Sequence, residues 1–144
     1  MNKELLAKIL TYGGVTPFMA LAVYSWFSVA LPVYPLSVTA VFMVYGAVIV
    51  SFIAGVHWGV YMLSNLQKPN LFIHSNIIAL LAWASVFVPP PFGALLLIVC
   101  FVYLLWLDNM IYVHDVTERW FYSLRRRATG LVVLAITLFM VPQF

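Results

Sequence analysis

Residues 45–59 read YGAVIVSFIAGVHWG. The stretch lies inside a long apolar run yet is rich in small residues, and Ala47, Ser51, Gly55 and Gly59 recur at every fourth position. That spacing puts them on one face of an α-helix, and membrane helices approach one another closely along such small-xxx-small seams. The seam serves packing within the chain, or docking of a second copy or a partner subunit. Roughly opposite it stand Val50, Ile53, His57 and Tyr61. His57 is the residue within the apolar segments that titrates near neutral pH.

Composition agrees with a membrane reading. Of 144 residues 65% are hydrophobic and 8% charged, and the mean hydropathy is +1.07. A soluble domain needs more charge than this to cover its surface. The length suits a single domain. A pI near 9.2 points to anionic lipid headgroups rather than nucleic acid, since three of the seven basic residues form one run, Arg125-Arg126-Arg127. The lone Cys100 has no partner for an intrachain disulfide and carries no message about redox compartment.

Outward from the central stretch, the apolar runs predict an all-α bundle of about five transmembrane helices, with spans at about 17–34, 37–66, 71–88, 92–112 and 128–141. Residues 2–12 form an amphipathic interfacial start, with Leu5, Leu6, Ile9 and Leu10 on one face and Glu4 and Lys8 paired on the other. Gly13 and Gly14 loosen the chain, and Thr16 caps a helix with Pro17 in its first turn; the alternative is a helix that starts earlier and kinks at Pro17. The first span also mimics a secretory signal, with Ser28-Val29-Ala30 as its small-x-small site; we read it as a retained span. Pro32 and Pro35 make an uncharged turn, and Pro89-Pro90-Pro91 ends the third span. Asp115-Val116-Thr117-Glu118 has capping-box spacing with Asp115 as the cap. The helix that follows carries Trp120, Phe121 and Leu124 on its apolar side and Arg119 and Arg126 away from it. It runs through residues 116–127 into the last span, so the arginines sit at the boundary and snorkel.

With five spans, Lys3, Lys8, Lys68, Arg119, Arg125, Arg126 and Arg127 all lie on one side. The positive-inside rule then puts the N-terminus in the cytoplasm, or in the matrix of a mitochondrion, and the C-terminus opposite. The absence of an internal repeat removes the usual sign of an inverted-repeat transporter.

The run Tyr45-Gly46-Ala47, Ser51-Phe52 and Gly55-Val56-His57-Trp58-Gly59 resembles the signature of a family of small membrane proteins with a domain of unknown function. Its members occur in bacteria and include mitochondrial transmembrane protein 69. Thr16-Pro17-Phe18 and the run Trp120-Phe121-Tyr122, Leu124-Arg125 extend the resemblance over about residues 13–140. It implies an inner-membrane protein of about five spans, bacterial or mitochondrial, and brings no catalytic residues with it.

The candidate site follows from depth. His57 lies ~9 Å inside a boundary at Leu63 at the helical rise, and an intramembrane polar group calls for a partner. Asp108 and Asn109 end the fourth span on the same side, near Arg119, Arg125, Arg126 and Arg127. One reading is a pocket at headgroup depth for a quinone, phospholipid or other amphiphile, held by His57, Trp58, Asp108, Arg119, Arg125 and Arg126 and lined by Trp58, Trp106 and Trp120. The other is a histidine that glues helices together. His74 and His114 stand at segment ends, so a bis-histidine haem site is not expected, and no ligand spacing marks a metal site. Tryptophan and tyrosine, among them Trp26, Tyr34 and Trp83, suit interfacial belts. No nucleophile–base motif or carboxylate pair suggests an enzyme, and no acidic group sits mid-membrane for a proton pathway. The leading expectation is a non-enzymatic accessory or assembly subunit of a larger membrane complex, such as a respiratory one. It would act through a membrane-protein partner or as a homo-oligomer, without a cofactor. Second comes a quinone- or lipid-binding protein, and last a small transporter or channel.

Overall fold

A computed structural model describes residues 2–27 and 37–143. The Ser28-Val29-Ala30 site, the Pro32 and Pro35 turn and Tyr34 lie outside the described residues. The described chain is all-helical: α1 (Lys3–Ser25), α2 (Val38–Leu63), α3 (Leu71–Ser85), α4 (Pro90–Val113) and α5 (Arg119–Met140), then a short 3₁₀ turn at Val141–Gln143. Three of them, α1, α2 and α4, are long and apolar enough to cross a membrane, while α3 is a shorter apolar helix. α5 carries its charge at one end and a largely apolar run after Arg127.

Local chemistry sets the boundaries. Ser37 caps α2 by accepting from the Ala40 amide at 3.1 Å, and Asn70 caps α3 by accepting from Ile73 at 3.3 Å. α4 starts with Pro89 as its N-cap and Pro90 in its first turn, where a missing N–H costs nothing. The proline run opens α4, whereas α3 ends at Ser85, ahead of the prolines expected to stop it.

Two expectations need correction. Thr16 does not cap a helix, because α1 is continuous from Lys3 through Gly13, Gly14 and Pro17. Two carbonyls in the turn before the proline accept from side chains: the Thr16 hydroxyl donates to Tyr12 O at 3.1 Å, and Tyr45 Oη of α2 donates to Gly14 O at 2.8 Å. Asp115 does not cap α5 either. It takes a positive φ of 55°, with its amide donating to Tyr112 O and the Val116 amide to Ile111 O. This is a Schellman closure of α4, with Asp115 where glycine is usual. Glu118 is the N-cap of α5, and its side chain makes no capping bond; it accepts instead from Trp120 Nε1 at 2.7 Å.

Consecutive helices alternate in direction. Along α2 and α3, Trp58 meets Phe72, whereas α2 and α4 run parallel, with Gly46 against Leu97 and His57 against Asp108. α1 and α5 are parallel, with Lys8 near Arg127 at one end and Trp26 Nε1 donating to Leu138 O at 3.0 Å at the other. Every Lys, Arg, Asp and Glu of the described chain consequently gathers at one end of the bundle. The core is aromatic where α1, α2, α4 and α5 meet. Phe42 and Phe139 stack at 4.0 Å, and Phe18 packs edge-on against Phe42 and Phe101.

Close helix approach uses glycines other than those of the expected seam. A Cβ at Gly46 would stand 2.7 Å from Leu97 Cδ1, and one at Gly93 would stand 2.5 Å from the Ser85 carbonyl oxygen. At Gly55 and Gly59 a Cβ would meet nothing. Ala47 is buried, whereas Ser51 and Gly55 face outward on a groove between α2 and α3. The opposite face of α2, with Val50, Ile53 and His57, is the buried one.

Candidate functional site

Burial of His57 follows from the phase of α2, since it stands seven residues after Val50 and four after Ile53 on the stripe facing the bundle. The residue is buried. The parallel α4 brings Asp108 alongside, and Nε2 lies 2.8 Å from Asp108 Oδ1. The other carboxylate oxygen, Oδ2, accepts from Arg125 Nε of α5 at 2.9 Å. Three helices are thus tied by one chain, His57–Asp108–Arg125, whose side chains are 2%, 8% and 12% exposed. Since Nε2 faces a carboxylate, it carries the ring proton in the neutral imidazole, and Nδ1 holds the lone pair.

The chain is not closed on itself. His57 Nδ1, Arg125 Nη2 and Thr129 Oγ1 are buried without a protein partner. Leaving a buried polar group unpaired costs about 1–3 kcal/mol. Three such atoms together therefore weigh heavily against the whole stability of a domain, about 5–15 kcal/mol. Two of them share a wall. Arg125 and Thr129 are one turn apart on α5 and line a partly open cavity of about 130 Å³ bounded by α1, α2, α4 and α5. The rest of the lining is mainly apolar, including Val15, Ile49, Phe101 and Val132. Leu10 of α1 and Phe52 of α2, 65% and 70% exposed, border it, where α1 and α2 touch only sparingly. A cavity of about 150 Å³ holds a benzene ring, so this one has room for a headgroup or a single ring.

The residues expected at the site separate into two groups. His57, Asp108 and Arg125 come together. Trp58 is 42% exposed and packs on Phe72. Arg119 and Arg126 are exposed on the outer side of α5. Trp106 packs on Tyr103 and Trp120 on Phe121, so none of the three tryptophans lines the cavity. Arg125 does not snorkel outward; Asp108 holds it inside, while Arg126 and Arg127 are exposed. Thr129 was absent from the sequence expectation. Its only signal was helical phase, four residues after Arg125. The remaining histidines are engaged elsewhere, His74 Nδ1 with Tyr103 Oη at 2.6 Å and His114 Nδ1 with Met110 O at 2.7 Å. Among the described residues no group of three or more His, Cys, Asp or Glu side chains is placed to hold a metal ion.

A family described as Protein of unknown function (DUF3429) matches residues 4–141. The chain belongs to the DUF3429 family. The match spans all five helices, and so covers the His57–Asp108–Arg125 chain and the cavity. No curated protein and no solved structure matched the chain.

Proposed function

We propose that this DUF3429 protein is a non-enzymatic, membrane-embedded binding protein that takes the polar head of an amphiphile into the cavity beside Arg125. One observation carries the reading: Arg125 and Thr129 line a mainly apolar cavity, and Nη2 of the one and Oγ1 of the other are buried without a protein partner. Binding sites for amphiphiles have this design, apolar walls with a few polar groups that fix orientation. All five helices cross the bilayer, since they alternate in direction and collect the charge at one end, and that end faces the cytoplasm or matrix. The gap between Leu10 and Phe52 then opens to lipid, near the basic leaflet. Kinship with mitochondrial transmembrane protein 69 would place the protein in a bacterial or mitochondrial inner membrane. Organic extraction of the purified protein should release about one amphiphile per chain, and Thr129→Val should lower that ratio while the helical content is kept. An extract without stoichiometric amphiphile from the wild type would count against the reading and leave water as the partner of those atoms.

A second reading, an accessory subunit of a larger membrane complex, is supported by the face of Ser51, Gly55 and Gly59, which this chain leaves uncovered. Under this reading Gly55→Leu should fold normally and lose a companion protein seen by native mass spectrometry after mild extraction. A wild-type protein that leaves the membrane as a lone chain would remove it.

A further inference from the structure

We infer that the cavity selects an oxyanion headgroup, and that its entry is coupled to uptake of one proton by His57. This rests on the amphiphile-binding reading and specifies its ligand. Charge balance across one hydrogen-bonded chain links the two events. With His57 neutral, the Asp108 carboxylate and the Arg125 guanidinium cancel, and the buried group has no net charge. An anion that accepts from Arg125 Nη2 and the Thr129 hydroxyl would leave that group at −1. Net charge is costly where the surroundings are apolar. A proton on His57 Nδ1, the ring nitrogen without a partner, restores neutrality. The imidazolium then donates from Nε2 to Asp108 Oδ1, Asp108 Oδ2 accepts from Arg125 Nε, and Arg125 Nη2 donates to the anion. Proton and anion thus stabilise each other across three side chains. A neutral carbonyl or hydroxyl head needs no proton.

Other ionisable side chains around α2 are committed elsewhere. His74 of α3 and Tyr103 of α4 bond each other, Tyr45 and Tyr61 of α2 donate to Gly14 O and Gln67 O, and Lys8 of α1 pairs with Glu4. Arg125 of α5 reaches His57 through Asp108. Arg119, Arg126 and Arg127 are exposed. The headgroup has the chemistry of a single-chain carboxylate or of a phosphate monoester, which share the compact acceptor oxygens that a guanidinium recognises.

The test uses the full chain in nanodiscs of phosphatidylcholine with dodecylsulfonate as the probe, because the sulfonate stays ionised and any proton taken up belongs to the protein. Binding in weak buffer should remove about one proton from solution per sulfonate bound, and affinity should rise about tenfold per pH unit lost wherever that proton is taken up on binding. Dodecanol should bind without a pH slope. His57→Gln should retain dodecanol and lose the sulfonate slope, while Thr129→Val should weaken the sulfonate and keep the slope. Competition by dodecanoate and by dodecyl phosphate tells which oxyanion is preferred. Sulfonate binding with no proton uptake by the wild type, or an equal slope in His57→Gln, overturns the coupling and leaves the binding reading intact. Failure of every probe, dodecanol included, removes both.

Discussion

Arg125 divides its guanidinium between two states: Nε is fixed on Asp108, and Nη2 is buried without a protein partner. Removing one member of such a buried pair leaves the other uncompensated, at about 3–5 kcal/mol, whereas replacing both with apolar residues of similar size is far less costly. Arg125→Leu should therefore lower the unfolding free energy in detergent by up to about that much, and Arg125→Leu with Asp108→Leu should recover only part of it, since His57 Nε2 then lacks its acceptor. A loss in the double variant equal to the sum of the losses in Arg125→Leu and Asp108→Leu alone would show that the pair is not coupled. Part of this site was legible beforehand. An intramembrane His57 demanded a partner, and depth alone pointed to Asp108. Which arginine would pair with Asp108 was only partly legible, because phase puts Arg125, four residues after Phe121, on the apolar side of α5, but only the docking of α5 on α4 brings it to Asp108. Thr129 was hidden, since a threonine in an apolar run carries no charge to draw notice.

At the scale of the elements, local rules and tertiary packing disagreed in instructive places. Glycines on a small-residue face were expected to mark the close approach of helices, yet Gly46 and Gly93 hold that role and Gly55 does not. Gly93→Ala should cost about 1–3 kcal/mol, since its Cβ would run into the Ser85 backbone carbonyl. Gly55→Ala should be neutral or stabilising, by up to about 1 kcal/mol from helix propensity. Chemical denaturation of the two variants side by side checks the contrast, and equal losses would refute the assignment of the α3–α4 approach. Asp115 belongs to the end of α4, not the start of α5, so Asp115→Gly should raise stability by about 0.5–1 kcal/mol through relief of its left-handed backbone. Sequence spacing could not separate these roles, because an acidic residue three before Glu118 satisfies a capping pattern whichever helix claims it. The continuity of α1 was likewise masked by Pro17.

Taken whole, the molecule is a bundle whose charged side chains share one end, and this was the most legible feature of all, because hydropathy and charge position alone fix it. The helix directions deliver that arrangement in space. A thiol introduced at Asn65 should react with a membrane-impermeant reagent from the basic side, and one at Gln143 only from the other; labelling of both from the same side would break the five-crossing topology. The cavity was not legible at this scale, as it exists only where α1 and α2 diverge beside α5. Its occupancy is tested most directly by photo-crosslinking of a diazirine-tagged single-chain amphiphile to the full chain in its membrane. Mass mapping should place the adducts on cavity-facing residues such as Ile49 and Val132, with loss of those adducts in Thr129→Val. Adducts spread over the outer helix faces, or unchanged by that substitution, would contradict the account.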